Sequence, residues 1–390
     1  MNILYLTISY KKGDGSIYDD LIDCLIEHKH NITVVKANSE IDHTLVEKLG
    51  NQLSVLNVKC ANQFNKNIFV KGINMLKLEP QFKLAIKKYL SDSRYDLILY
   101  ATPPITFNGV VAYCKKKYNA KTYLMLKDIF PQNAVDLGFF KKDAIIHKFF
   151  KNKEKKLYSV SDKIGCMSKG NVEYLLKHTS LNKDKVEIFF NSKKFEREKI
   201  GDVESKTETI FVFGGNIGKP QNIVGILRIV DSLKNYKKAR FVFIGKGSEE
   251  HIISEYANSN NKQVTYYPFL PQEKYENILL NCDVGLISLD ARFTIPNIPS
   301  KLVTYLKYSK PVLAITDSNT DLKDMIFEGN FGWWYNATNA ENIINGIKEI
   351  CENKDEQIVK GKSGYEFFKR NFNVESNVEI LENFIKENKI

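Results

Sequence analysis

Short apolar runs alternate with amphipathic stretches along most of this chain. Runs such as residues 3–9 and 97–100 are rich in Ile, Leu and Tyr, and they predict buried strands. Stretches such as residues 17–27 place apolar residues three or four positions apart and predict helices. Strands separated by amphipathic helices indicate βαβ units, and therefore parallel sheets with both faces covered.

The pattern predicts two series of these units. The first series has helices at 17–27, 81–91, 108–118, 141–160 and 169–178, and strands at 3–9, 32–36, 97–100, 121–126, 163–167 and 186–190. The second series has helices at 223–233, 249–257 and 275–281, a further helix that opens at residue 300, a helical tail at 365–390, and strands at 210–213, 240–244, 264–268, 284–289 and 312–315.

Residues 193–209 separate the two series, because they are polar, charged and without apolar periodicity. A chain of 390 residues is also longer than one hydrophobic core usually supports. We therefore predict an N-terminal domain at 1–192, a linker at 193–209, a C-terminal domain at 210–370 and a C-terminal helix at 371–390. Two doubly wound α/β domains of this kind, facing across a cleft, bind ligands beyond the carboxyl ends of their strands.

The helix that opens after Pro299 is a candidate anion site. The first turn of a helix presents unpaired N–H groups and the positive end of the helix dipole. Ser300 can cap this helix and Lys301 adds a full charge, so a phosphate-bearing ligand is one interpretation. An ordinary capped helix that packs on a parallel sheet is the other.

A glycine-rich turn follows the strand at 210–213 and precedes a helix. Its residues Gly215, Asn216, Gly218 and Lys219 could bring backbone N–H groups and a charge close to a diphosphate. The turn lacks the GK[ST] ending of a Walker A loop and is not GxGxxG. A plain tight turn between strand and helix explains it as well.

Charge is unevenly distributed in the chain, whose net charge is +11. Residues 1–190 carry 30 Lys and Arg against 19 Asp and Glu, whereas residues 191–390 carry 27 of each. A basic N-terminal half attracts an anionic partner, such as membrane headgroups, a phosphorylated lipid or nucleic acid. Six scattered cysteines, with no CxxC pair and no close Cys/His cluster, argue against a zinc site and fit a reducing compartment.

Lysines and large apolar residues are interleaved between residues 139 and 156. On a helix the apolar residues form one stripe flanked by lysines, which suits the headgroup region of an anionic membrane. The alternative is a domain helix with its stripe in the core. No stretch is long enough for a membrane span or a signal peptide, so we expect a cytoplasmic protein, peripheral at the inner face of the membrane. The membrane-contact candidates are Phe139, Phe140, Lys141, Lys142, Phe149, Phe150 and Lys151.

Several ordered segments resemble the retaining glycosyltransferases of family 4, in the branch that builds bacterial O-antigen and capsule. They span nearly the whole chain: DIFPQNAVDLG at 128–138, KIGCMSKGNVEYL at 163–175, FFNS at 189–192, FGGNIGKPQN at 213–222, FVFIGKGSEE at 241–250, CDVGLISL at 282–289 and the PSK…KPVLA segment at 299–314. The resemblance implies a GT-B fold of two Rossmann-like domains and transfer of a hexosyl or N-acetylhexosaminyl group from a nucleotide sugar, such as a UDP-sugar, to a saccharide on a polyprenyl-diphosphate carrier.

The resemblance also implies roles for individual residues. Gly215, Asn216 and Gly218 would shape the diphosphate loop, and Ser300 and Lys301 would bind the phosphates. In YYPFLPQ at 266–272, Phe269 and Leu270 would contact the base, while Gly13 and Gly15 would let the N-terminal domain close over the donor. No cofactor and no metal are implied, because helix N-termini and lysines can stabilise the leaving diphosphate.

Two departures from the family pattern affect the donor site. Many members carry paired glutamates where this chain has Pro296 and Thr304, and the Arg and Lys of the common glycine turn fall on Asn216 and Gln221. Thr304 could bond a ribose hydroxyl in place of the carboxylate. Lys219 or Lys301 could replace the lost cation.

The transfer reaction requires a group that takes the proton of the acceptor hydroxyl. Asp128 ends a buried strand at the expected cleft edge and could be this general base, although a structural turn carboxylate is equally consistent. Two other classes stay open: a sugar-nucleotide epimerase of the same fold, and a nucleic-acid-binding protein that uses the basic half. No nucleic-acid motif supports the latter.

Overall fold

The computed structural model describes residues 1–61, 68–195, 207–259 and 263–387, and the side chains of 68–75 lie outside that description. The chain forms two compact units. Unit 1 comprises Met1–Lys194 with Val374–Ile390, and unit 2 comprises Phe195–Asn373. Residues 196–206 of the predicted linker and residues 388–390 of the predicted C-terminal helix lie outside the described residues.

Unit 1 contains an eight-stranded sheet in the order β3-β4-β2-β1-β5-β6-β7-β8. All neighbouring strands are parallel except β3, which pairs antiparallel with β4. The sequence pattern missed β3 and β4, because β3 is mostly exposed and the pair is separated only by a short polar turn. The strands are β1 Asn2–Thr7, β2 Asn31–Asn38, β3 Leu45–Lys48, β4 Leu53–Lys59, β5 Leu97–Ala101, β6 Lys121–Leu126, β7 Lys163–Cys166 and β8 Val186–Ile188.

Six helices of unit 1 connect these strands. They are α1 Ile17–Glu27, α2 Ile68–Tyr89, α3 Asn108–Tyr118, α4 Gln132–Asp136, α5 Ile145–Val160 and α6 Lys169–His178. The predicted helix at 81–91 is only the end of α2, which continues through Pro80. The predicted helix at 141–160 begins later, because Asp143 adopts a left-handed conformation (φ 64°) that a helix does not contain.

Unit 2 contains a six-stranded parallel sheet in the order β11-β10-β9-β12-β13-β14. Counted within the unit, this is the order 3-2-1-4-5-6 of dinucleotide-binding Rossmann domains. The strands are β9 Thr209–Gly214, β10 Ala239–Ile244, β11 Val264–Tyr267, β12 Val284–Ser288, β13 Val312–Thr316 and β14 Gly332–Asn336. The strand β14 was not predicted, because four of its five residues are only half-buried.

Seven helices cover the sheet of unit 2. They are α7 Ile223–Ser232, α8 Glu250–Asn258, α9 Gln272–Leu280, α10 Lys301–Lys307, α11 Leu322–Gly329, α12 Ala340–Glu352 and α13 Lys354–Asn371. The buried apolar faces of α7 and α12 join aromatic residues of the strands in one core, where the rings of Phe211 and Phe241 stack with centroids 5.2 Å apart. This core fixes the strand ends from which the loops of the candidate site emerge.

The chain returns to unit 1 through the helix α14, Val374–Glu387. Val378, Leu381 and Phe384 are buried in the same core as α1 and the sheet, and the ring of Phe384 lies 5.6 Å from that of Tyr123. The prediction that the C-terminal helix packs on the N-terminal domain is confirmed. The single helical tail predicted at 365–390 is wrong, because α13 ends before Phe372 and the N–H of Val374 donates to the carbonyl of Lys193 instead.

Candidate functional site

The strand order of unit 2 reverses between β9 and β12, and such a switch point is where doubly wound sheets bind ligands. Tyr305 of α10 fixes the structure there. Its hydroxyl donates to the carbonyl of Val212 at 3.0 Å and accepts from the N–H of Gly214 at 3.0 Å. Its ring fills the space beside Gly285, where a Cβ would lie 2.3 Å from the ring. Tyr305 thus positions the start of α10 beside the end of β9.

In the glycine turn after β9, alternate backbone N–H groups donate hydrogen bonds within the fold. The N–H of Gly215 donates to the carbonyl of Ile244, and that of Ile217 donates to the carbonyl of Lys246. Gly215 has a φ of 115°, a conformation that favours glycine. Among the described residues no acceptor takes the N–H of Asn216 or Gly218, so these are the two donors of the turn that are left for an anion. The side chain of Asn216 donates to Gln221 at 3.0 Å.

Lys301 lies directly beside this turn. Its Nζ is 3.2 Å from the ring centroid of Phe213, and a Cβ added at Gly215 would lie 3.8 Å from its Cε. The Nζ is buried and has no hydrogen-bond partner within the described part of the chain. Burial therefore lowers the pKa of Lys301 well below its ordinary value. A lysine whose Nζ is buried against an aromatic ring, with no hydrogen-bond partner among the described residues, can bind an anion.

The expectation that Ser300 caps α10 is wrong. Its backbone is already helical (φ −59°, ψ −24°), and its side chain makes no capping hydrogen bond. A capping side chain needs an extended backbone to reach the N–H groups of the first turn. The first turn is instead closed by local bonds from Leu302 and Val303 to the carbonyls of Pro299 and Ser300. The exposed hydroxyl of Ser300 is thus not engaged by the helix.

The remaining donor candidates of unit 2 lie in different environments. Thr304 is half-buried in the first turns of α10, and Pro296 is buried in the loop before it. Lys219 is exposed in the short 3₁₀ turn that follows Gly218. Phe269 is 65% exposed after β11 and Leu270 is half-buried, so Phe269 presents a free ring face to solvent. Lys246, which sequence analysis did not single out, places its Nζ 4.8 Å from the centroid of that ring.

Asp128 follows the buried strand β6 in unit 1. Its Oδ1 accepts a hydrogen bond from the side-chain amide of Asn133 at 2.6 Å. Burial raises the pKa of Asp128 to about 6, although bonds from Asn133 and from the backbone of Ile129 oppose the rise. A carboxylate with a pKa near the operating pH is suited to accept a proton. Thr102, at the end of the neighbouring β5, accepts from the N–H of Asp128 at 3.3 Å and helps to fix the loop.

Lys127 precedes Asp128 and was missed by sequence analysis. Its Nζ lies 5.3 Å from the ring centroid of Phe189, and burial lowers its pKa to about 7. Two adjacent side chains thus carry an acid and a base whose pKa values are both moved toward neutrality. Such pairs concentrate at functional sites. The sequence contained a signal for this pair, because Lys127 and Asp128 directly follow a buried strand.

The loop after β1 holds Gly13 and Gly15, both with positive φ angles of 75° and 59°. Their N–H groups donate to Oδ2 of Asp19 at 2.9 and 3.4 Å. The carboxylate thus occupies the donors that a ligand phosphate would use. In this structure the two glycines shape a closed loop at the start of α1, whose N-cap is Ser16.

The segment before and within α5 exposes large apolar side chains. Ile145 is 90% exposed, and Phe139, Ile146 and Phe149 are exposed by 51%, 48% and 41%. The core-facing positions of α5 are instead His147, Glu154, Leu157 and Tyr158. The interpretation of 139–156 as a helix with its apolar stripe in the core is therefore wrong for these four residues. Phe140 and Phe150 are half-buried and pack around Phe130.

Lysines surround this exposed apolar patch. Lys141, Lys142 and Lys148 are exposed, whereas Lys151 is half-buried and pairs with the buried Glu154. Beside α5 lies a cavity of about 760 Å³, whose charged lining residues include Lys148, Lys151, Lys155 and Lys185 together with Asp143 and Glu154. Among the described residues, no helix has the length and the apolar content that crossing a membrane requires.

The chain is similar to glycosyltransferases of known sequence. Residues 193–367 match the family model described as Glycosyl transferases group 1. The "Probable glycosyltransferase WbjE" of Pseudomonas aeruginosa is 27% identical over 299 residues, which cover 74% of each chain. The C-terminal half of the chain is therefore similar to group 1 glycosyltransferases, and the relative extends the similarity beyond that region.

Solved structures share the fold over nearly the whole chain. WaaG, a glycosyltransferase involved in lipopolysaccharide biosynthesis, superposes with a TM-score of 0.69 at 9% identity and covers 98% of this chain and 99% of its own. HepE of Anabaena, in complex with UDP and glucose, superposes with a TM-score of 0.69 at 14% identity and the same coverage. The GT-B fold of two Rossmann-like domains that the sequence predicted is confirmed.

Proposed function

We propose that this protein is a retaining glycosyltransferase that moves a hexosyl or N-acetylhexosaminyl group from a UDP-sugar to a saccharide on a polyprenyl-diphosphate carrier. We further propose that it acts at the inner face of the bacterial cell membrane, in the synthesis of a surface polysaccharide such as O-antigen or capsule. The group 1 match and the similarity to WbjE support the glycosyl transfer. HepE binds UDP, and WaaG is involved in lipopolysaccharide biosynthesis, which supports the donor and the pathway class.

One observation carries the donor proposal: the Nζ of Lys301 is buried at the switch point of unit 2 and has no hydrogen-bond partner in the described part of the chain. Departure of UDP from the sugar builds negative charge on the diphosphate. Donors that are already in place stabilise this charge without reorganisation, and a dry site strengthens the effect. The ammonium of Lys301 and the N–H groups of Asn216 and Gly218 would take this role. The hydroxyls of Ser300 and Thr304 would add bonds to phosphate and ribose.

We assign different parts of the transfer to Lys301 and to Asp128. The bond between the anomeric carbon and the diphosphate oxygen breaks, and its electron pair leaves with UDP. The acceptor oxygen forms the new bond on the same face of the sugar and releases its proton. We assign Asp128 as the group that takes this proton, because its pKa of about 6 leaves it ionised at neutral pH yet able to hold a proton.

The exposed patch of Phe139, Ile145, Ile146 and Phe149 supports the membrane proposal. An acceptor on a polyprenyl carrier stays in the bilayer, so the enzyme must reach the headgroup region. Exposed rings and aliphatic side chains among lysines insert there, and the lysines are attracted to anionic lipid. The lysines that line the cavity beside α5 would bind a headgroup phosphate.

The reaction is tested with the full-length chain, a panel of UDP-sugars and short-chain polyprenyl-diphosphate saccharides. We expect release of UDP that requires both donor and acceptor, and an NMR coupling constant that shows the donor's anomeric configuration in the product. Interconversion of UDP-sugars without an acceptor would instead identify an epimerase. Absence of both reactions, with no UDP binding, would contradict the proposal.

The membrane contact is tested by co-sedimentation with phosphatidylglycerol vesicles. We expect the double variant Ile145→Glu/Phe149→Glu to lose most vesicle binding while its melting temperature stays unchanged, because both side chains are exposed. Leu84→Glu on α2 is the matched control, since Leu84 is 68% exposed elsewhere on unit 1. Equal binding by the double variant and the control would place the membrane surface elsewhere. Preferential binding to oligonucleotides would favour the nucleic-acid alternative.

A further inference from the structure

Two histidines and two glutamates meet where α14 packs against the end of α1. Oε1 of Glu382 lies 3.2 Å from Nδ1 of His28 and 2.8 Å from Nε2 of His30. Nε2 of His28 lies 2.8 Å from Oε2 of Glu375. Sequence analysis argued against a zinc site and missed this cluster, because its histidines and its glutamates come from opposite ends of the chain.

Each imidazole in this cluster has one nitrogen turned inward and the other held by an outer partner. For His28, Nδ1 is directed at Glu382 and Nε2 is held by Glu375. For His30, Nε2 is directed at Glu382, and Nδ1 lies 3.0 Å from the N-terminal amino group of Met1. Histidines that bind metal ions show the arrangement seen at His28, in which a carboxylate accepts from one ring nitrogen and directs the other nitrogen at the ion.

The spacing of the three inward atoms also suits a metal ion. Ligand atoms about 2.0–2.2 Å from a tetrahedral zinc ion lie roughly 3.4 Å from one another. The separations of 3.2 and 2.8 Å from Glu382 are close to this value, and all three ligand atoms lie within 4.8 Å of one another. The side chains of His28, His30 and Glu382 are 31%, 10% and 21% exposed, which leaves a path for an ion from solvent.

We propose that His28, His30 and Glu382 form a binding site for a divalent transition-metal ion of the zinc type, with water completing the coordination. Glu375 serves as the outer partner that orients His28. The ion joins the α1–β2 connection to α14 and so fastens the C-terminal helix to unit 1. This role is structural and is independent of the proposed transfer reaction.

A second group, Cys24 with His28 and Glu375, also lies within the required distance. It is the poorer site, because the side chain of Cys24 is fully buried, whereas His28, His30 and Glu382 are partly exposed to an ion from solvent. The two groups share His28. Only a metal ion bound at the group with Cys24 would show a thiolate-to-metal absorption band, so spectra distinguish the two sites.

The test uses the full-length, tag-free chain after treatment with a chelator. We expect isothermal titration to show one Zn²⁺ bound per chain, and the melting temperature to rise when Zn²⁺ is added. Co²⁺ should give visible d–d bands of a nitrogen and oxygen site without a thiolate charge-transfer band near the ultraviolet. His30→Gln and Glu382→Gln should lose the binding and the thermal response.

Control variants separate metal binding from a hydrogen-bonded contact. His43→Gln removes an exposed histidine and should leave Zn²⁺ binding unchanged. Glu375→Gln should keep the site but weaken it by roughly 10- to 100-fold, as expected for an outer partner. No thermal response in the wild-type chain, unchanged binding in His30→Gln, or a thiolate band with Co²⁺ would each overturn the assignment.

Discussion

The loop after β9 in unit 2 and the loop after β6 in unit 1 follow similar buried parallel strands, yet they hold charges of opposite sign. Lys301 lies beside the first, and Asp128 lies in the second. Burial shifts both pKa values toward neutrality, downward for the lysine and upward for the carboxyl. Within the described residues, Asp128 has hydrogen-bond partners in the amide of Asn133 and the backbone of Ile129, whereas the Nζ of Lys301 has none.

This difference indicates what each loop does. A charge that the protein itself solvates is kept at a chosen pKa, which suits a group that exchanges protons. A buried ammonium that has no hydrogen bond and lies beside an aromatic ring is unfavourable unless an external anion binds. On the proposed function, Lys301 of unit 2 would bind an anionic donor, whereas Asp128 of unit 1 would accept a proton. The following substitutions test this contrast.

Asp128→Asn should have the largest effect. The amide keeps the shape of the side chain and its contact with Asn133, but it cannot take the proton of the acceptor hydroxyl. We therefore expect kcat to fall by roughly 10³-fold with little change in UDP affinity. In the wild type, the rate should fall as the pH drops through about 6, because Asp128 becomes protonated. Asp136→Asn, in the same segment, is the control. More than a tenth of wild-type activity in Asp128→Asn would remove it as the base.

Lys301→Met should lower UDP affinity by roughly 100-fold, because one preformed cationic donor is lost. The melting temperature should stay the same or rise, since a buried amine without a hydrogen-bond partner among the described residues is replaced by an apolar side chain of similar size. Lys234→Met, which removes an exposed lysine of the same unit outside the turn, is the matched control. Calorimetry with UDP and thermal unfolding measure the two effects. A lower melting temperature with unchanged affinity would make Lys301 a structural residue.

Asn133→Ala should have a smaller effect that depends on pH. Asn133 donates to the ionised form of Asp128 and lowers its pKa, so its removal should move the acid limb of the rate profile to higher pH. The rate at pH 6 should therefore fall more than the rate at pH 8. Gln132→Ala, which removes a neighbouring amide bonded to Asp136, serves as the control. A uniform loss at both pH values would show that Asn133 only maintains the fold.

Ser300→Ala should change stability least. Ser300 makes no capping bond, so we expect the free energy of unfolding to change by less than about 0.5 kcal/mol. The matched variant Ser168→Ala removes a side chain that accepts from the N–H of Asn171 at 3.2 Å, and it should cost about 1 kcal/mol. Urea denaturation followed by circular dichroism compares the two. An equal loss in both variants would contradict the observed backbone of Ser300.

Hydrophobic periodicity predicted the two sheets well, since buried parallel strands are continuous apolar runs and their connecting helices are amphipathic. It failed for β3 and β14, whose residues are largely exposed or half-buried. It also failed at Phe372, because the break between α13 and α14 depends on a backbone bond to Lys193, which is distant in sequence.

The candidate site was predictable in its residue types but not in its energetics. The Pro-Ser-Lys segment showed where a cation stands at a helix start. Only the structure shows that the Nζ of Lys301 contacts the ring of Phe213 and no hydrogen-bond partner among the described residues. Likewise, the alternating use of N–H groups at Gly215 and Ile217 depends on the neighbouring β10, which no local pattern reveals.

The proposed function depends most on the binding of the donor diphosphate by Lys301. Proton uptake on binding tests this directly. Burial lowers the pKa of the free lysine, and a bound diphosphate raises it again, so binding in the pH range between these values takes up a proton. UDP titrations in buffers of different ionisation enthalpy, at alkaline pH where the phosphates are fully ionised, measure this uptake. We predict uptake of up to one proton by the wild-type chain and none by Lys301→Met. Equal uptake and equal affinity in the two proteins would contradict the assignment.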